Sequence, residues 1–87
     1  MPDGVTFKVS ELERDRRILE RKLRNYSKPD EDLYNVLNFY LELAIENIDE
    51  LRDYTHIRIN RNGISIPSRV PGTKGARYST YVAIHLT

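Results

Sequence analysis

Arg58, Arg61, Arg69, Lys74, Arg77, Tyr78, Tyr81 and His85 are the residues whose types and spacing could do chemistry. Guanidinium and ammonium groups pair with phosphates or carboxylates, and phenol rings stack on bases. Basic residues interleaved with aromatics therefore suit a polyanion, with Tyr78, Tyr81 and His85 as possible nucleic-acid contacts. A second set has the opposite sign. Glu42, Glu46, Asp49 and Glu50 recur at helical spacing and offer carboxylates to a cationic partner.

Neither set makes a catalytic constellation. The chain has no cysteine, and no Gly-x-Ser-x-Gly elbow occurs. His56 and His85 are the two histidines, and the basic tail that holds them has no carboxylate of its own to complete a metal shell. Pro71-Gly72-Thr73-Lys74-Gly75 lacks the spacing of a phosphate loop, and no helical pattern follows it. The expectation is a protein with no enzymatic role, no cofactor, no metal and no small-molecule substrate.

The charges fall in blocks. Residues 1–28 hold eight Lys/Arg and five acids, net +3. Residues 29–53 hold one Arg and eight acids, net −7. Residues 54–87 hold five Lys/Arg and no acid, net +5. A single-sign segment this long points to a partner of opposite sign, another chain or the acidic helix of the same copy.

Secondary structure must position these groups. Over 30–53, Leu33, Val36, Leu37, Tyr40, Leu41, Ala44, Ile45, Ile48 and Leu51 step by three and four, which predicts one long amphipathic helix. Asp30, Glu31 and Asp32 suit its positive end, with Ser27 as cap and Pro29 in the first turn. Val5-Thr6-Phe7-Lys8-Val9 alternates and reads as a strand. Ser10 and Glu13 then form a capping box for a helix running to about Asn25, which the pairs Glu13–Arg17 and Glu20–Arg24 would support. Residues 56–66 read as a hairpin turning at Arg61-Asn62-Gly63. Residues 67–75 read as a loop and 78–86 as a last strand, beside both the hairpin and the first strand. The expected fold is α+β: strand, helix, helix and three strands in one domain over 1–87, two helices on one face of a small, mostly antiparallel sheet.

The chain resembles three families, in whole or in part. With its Arg, Tyr and His set, the tail resembles small ribosome-dependent mRNA-cleaving toxins, which implies RNA contact through the sheet. The opening strand and two helices resemble a ribbon–helix–helix repressor, which implies that Thr6 and Lys8 face DNA. The triplet Asp30-Glu31-Asp32 opposes that reading, because this family seats a phosphate at that helix end. Residues 71–87 resemble pieces of small head–tail and tail-completion proteins of tailed phages, which implies ring-forming homo-oligomers. The charge layout agrees best with the last: a non-enzymatic assembly module whose basic surface (Arg58, Arg61, Arg69, Lys74, Arg77) meets the acidic helix face (Glu42, Glu46, Asp49, Glu50) of the next copy. A nucleic-acid-binding protein is the alternative.

The longest apolar runs fall far short of the roughly 20 residues that span a bilayer. Met1-Pro2-Asp3-Gly4 has neither the basic region nor the apolar block of a secretion signal. The expected location is the cytoplasm or a virion, without secretion or membrane association.

Overall fold

A computed structural model describes residues 4–66 together with the backbone of 79–81. Strand β1 (Val5–Lys8) runs into a 3-10 turn (Val9–Glu13), then helix α1 (Arg16–Ser27). Helix α2 (Glu31–Glu46), a single turn α3 (Ile48–Leu51) and strands β2 (His56–Asn60), β3 (Gly63–Ile66) and β4 (Ser79–Tyr81) follow. The sheet is antiparallel throughout, in the order β1-β2-β3-β4. Helices α1 and α2 cover one face, which makes this the expected α+β architecture.

Alternation builds the core. Val5 and Phe7, Ile57 and Ile59, and Ile64 and Ile66 are buried beneath the helices. Leu19 and Leu23 come down from α1, and Leu37, Leu41 and Ala44 from α2. Among the described residues, no helix is long and apolar enough to cross a membrane.

The first helix starts later than Ser10. The Glu11 carboxylate accepts the Lys8 backbone N–H at 2.8 Å, so the reciprocal side chain of the entry is Glu11. Ser10 sits within the 3-10 turn, which drives Leu12 into the core. Asp15 caps α1 by accepting the Arg17 N–H at 2.9 Å. Glu13 therefore lies outside α1 and pairs with Arg52 instead of Arg17. Arg17 reaches Asp15, Glu20 pairs with Arg16, and Arg24 leans over the Tyr34 ring toward Glu31.

Ser27 is the buried last residue of α1, and the cap of α2 is Asp30, which accepts the Leu33 N–H at 3.0 Å. The residue before a proline is pushed out of helical geometry, and Lys28 is extended (φ −52°, ψ 141°), so the new helix starts beyond Pro29. Glu31 and Asp32 occupy the first turn as expected.

The long helix is interrupted at Asn47. Its side-chain amide donates to the Leu43 carbonyl at 2.8 Å, and its backbone (φ −112°, ψ 32°) leaves helical geometry. Asparagine competes in this way with the main-chain ladder. The apolar stripe continues through α3, where Leu51 is fully buried.

In the hairpin the two loop residues are Arg61 and Asn62, and Gly63 already pairs with Asn60. The positive φ (133°) belongs to Gly63, while Asn62 stays at negative φ and donates its N–H to the Asn60 side chain at 2.8 Å. Among the described residues strand β4 pairs with β3 and not with β1, so the first and last strands form opposite edges. The predicted loop at 67–75, and the predicted last strand except 79–81, lie outside the described residues.

Candidate interaction surfaces

The antiparallel register arranges the second face of the sheet. Thr6, Arg58, Ser65 and Thr80 stand opposite one another across the four strands, and Lys8 stands opposite His56. Thr6 and Lys8 are exposed, whereas His56, Arg58, Asn60 and Ser65 are half-buried. No described helix or strand packs on this face, and none of its described strand positions carries a carboxylate.

At one end the face runs into two adjoining depressions. One, about 420 Å³, is lined by Thr6, Lys8, Ser10, Glu11, Arg14, Lys22 and His56. The other, about 640 Å³, is lined by Lys8, Val9, Ser10, Glu13, Arg52, Tyr54, Thr55 and His56. The His56 Nδ1 atom is buried there without a hydrogen-bond partner.

Two carboxylates flank these depressions. Burial pushes the Glu11 carboxyl up, but the Lys8 N–H and the Lys22 ammonium outweigh burial and hold it below its ordinary value. Glu13 is held low chiefly by its hydrogen bonds from Arg52. Arg52 is itself kept more firmly charged by Glu13 and Asp49. Among the described residues, no three His, Asp or Glu side chains converge as a metal site would require.

The predicted acidic face divides in two. Glu42 turns toward α1 and pairs with Arg16, and Asp49 accepts from Arg52 at 3.0 Å. Glu46 and Glu50 are exposed, with no ion pair among the described residues. Glu46 shares the outward side of α2 with Phe39, an apolar side chain 60% exposed.

The predicted basic surface is also divided. Arg58 lies on the sheet face that no described helix or strand covers, whereas Arg61 lines a depression of about 140 Å³ with Asp30, Asp32, Leu33 and Val36. Arg69, Lys74, Arg77, Tyr78 and His85 lie outside the described residues, as does the Tyr81 side chain. The Tyr81 backbone pairs opposite Ile64.

The chain matches no family model, no curated protein and no solved structure. Its function is therefore argued from geometry and charge.

From sequence, Lys8 was named only through the ribbon–helix–helix resemblance and His56 only as an unsupported metal ligand, while Arg14 was not singled out. The signal for Lys8 was present in the alternation of β1, which puts Thr6 and Lys8 opposite Val5 and Phe7. Arg14 and His56 join Lys8 through tertiary contact alone.

Proposed function

We propose that the protein is a non-enzymatic interaction module that assembles with copies of itself, head to tail. The basic sheet face of one copy meets the acidic outer side of α2 and α3 on the next. The observation that carries this reading is the separation of Arg58 from Glu46 and Glu50 by the core. The sheet and the helices back onto that core from opposite sides, so these charges do not meet within one copy. Among the described residues, the acids of 29–53 that form ion pairs do so with Arg16, Arg24 and Arg52, which lie outside the 54–87 segment. Phe39, two turns before Glu46 on the same side of α2, supplies an exposed apolar anchor of the kind protein contacts use. A contact between two different patches closes into a ring or extends into a filament. A structural role like that of ring-forming head–tail proteins, in the cytoplasm or in a virion, is the finer form of this proposal.

Charge reversal tests it. Arg58→Glu should disperse the assembly, and so should Glu46→Arg with Glu50→Arg. Combining all three reversals in one chain should restore association, because each contact again joins opposite signs. Failure of the triple variant to recover, with folding intact, would count against this contact.

A second reading rests on the same face, whose described strand positions carry no acid, although Glu11 lines the smaller depression beside it. Lys8, Arg14 and Lys22 around the smaller depression, with Arg58 beyond, suit a phosphate backbone. Filter binding of RNA and DNA across salt decides it. Phosphate contacts give a steep negative slope of log affinity against log salt, and no retention at low salt eliminates the reading.

A further inference from the structure

The β1 edge of the sheet is occupied by side chains. In antiparallel pairing, successive residues turn their backbone groups alternately toward the neighbouring strand and away from it. Val9, next in the β1 register, donates its N–H to the Thr55 carbonyl of the β2 side at 3.0 Å. By alternation, the backbone groups of Thr6 and Lys8 face outward. Both meet substitutes for a strand. The Lys22 ammonium donates to the Thr6 carbonyl at 3.1 Å, and the Glu11 carboxylate accepts the Lys8 N–H at 2.8 Å. Lys22 and Glu11 are themselves joined at 3.2 Å. Lys22 also lies over the Phe7 ring, 4.9 Å from its centre, which fixes its stem against the strand.

A carbonyl and the N–H two residues later are the pair that one residue of an added parallel strand, or two residues of an added antiparallel one, would engage. From this geometry we infer that Glu11 and Lys22 form an edge guard, which closes β1 to strand addition by a second copy. An unguarded edge is a template for such pairing, and charged side chains, lysine above all, are a common means of blunting it. The guard here also satisfies one outward donor and one outward acceptor, so an incoming strand would have to displace an ion pair as well as water. Association is thereby left to the charged faces of the molecule. This inference is separate from the head-to-tail contact, which uses the face of the sheet and not its edge.

The test is a Glu11→Ala/Lys22→Ala double variant held at about 1 M salt, where charge-driven contacts are screened to a few ångströms. Wild type is the reference under the same conditions. The guard predicts that the variant gains a dimer or larger species that persists at this salt. It also predicts that the Thr6 and Lys8 amides become protected from hydrogen exchange as protein concentration rises. A variant with the mass of wild type at every concentration would overturn the inference. So would one that associates while those two amides exchange freely. Should circular dichroism show the double variant unfolded, Glu11→Gln with Lys22→Met decides on the same two readouts, because the methionine keeps the contact with Phe7. Loss of the head-to-tail contact changes the mass of wild type at low salt and leaves this comparison intact.

Discussion

Arg52 grips Glu13 through two nitrogens, at 2.8 and 3.3 Å, across a sequence separation of 39 residues. The same guanidinium reaches Asp49 at 3.0 Å through Nε. The end of the α2–α3 segment is thereby tied to the 3-10 turn that follows β1. Both anchor points border the larger depression beside Lys8 and His56. The charged clamp lies at one end of the helical layer, next to the sheet face that no described helix or strand covers.

That clamp sets a pH dependence. The Glu13 carboxyl is held below its ordinary value near 4.5, first by hydrogen bonds from Arg52 and then by the guanidinium charge, against the opposing charge of Asp49. In the unfolded chain it binds its proton at higher pH than in the folded one. Its contribution is therefore complete above the ordinary value and is lost as pH falls through the folded value. Glu11, also held low, acts in the same direction. Urea unfolding between pH 7 and pH 3 should show stability decreasing on acidification. Glu13→Gln should make that decrease shallower, and an unchanged slope would contradict the clamp.

Leu41 is fully buried between α2 and the sheet. Leu41→Ala removes apolar contact and leaves a cavity, for a loss of about 2–5 kcal/mol in denaturant unfolding. In so short a chain that is a large share of the total, and the variant should be partly unfolded at 37 °C.

Gly4 has φ +125°, and a Cβ at this position would lie 2.5 Å from the Ile59 carbonyl oxygen. The backbone conformation and the clash act together, so Gly4→Ala should lower stability by more than about 1 kcal/mol. Thermal unfolding followed by circular dichroism reads this directly. A neutral outcome would mean that the start of β1 is free to move away from β2.

Asp30 caps α2 through the Leu33 N–H. Asp30→Ala should cost about 1 kcal/mol in chemical unfolding, whereas Ser27→Ala should leave the start of α2 unaffected. The opposite ranking would restore the capping role that spacing alone suggested for Ser27.

The parts of the fold that depend on local periodicity were legible in the sequence. The stripe from Leu33 to Leu51, the alternation of Val5 with Phe7 and that of Ile57 with Ile59 each name a buried face, and apart from the exposed Val36 these residues are buried or half-buried. Helix ends were less legible, because several side chains compete to cap them. Ser10 and Asp15 are both good caps, and the choice between them is settled by the 3-10 turn that delivers Leu12 to the core. Asn47 reads as one more polar residue on a helix until its amide is seen on the Leu43 carbonyl. Strand order was not legible, since nothing local specifies that β4 joins β3 and leaves β1 at the far edge. The surfaces were only half legible for the same reason. Block charges showed an acidic helix and a basic tail, but the pairing of Glu42 with Arg16 and the grouping of Lys8, Arg14 and His56 depend on tertiary packing.

Sedimentation velocity of the wild-type protein, from low salt to about 1 M, tests the central claim most directly. Head-to-tail assembly through Arg58 and the Glu46/Glu50 side predicts a species larger than the 10.2 kDa chain at low salt, shifting to monomer as salt rises. It also predicts that Arg58→Glu sediments as a monomer throughout. A wild-type protein that remains monomeric at low salt and high concentration would contradict the account.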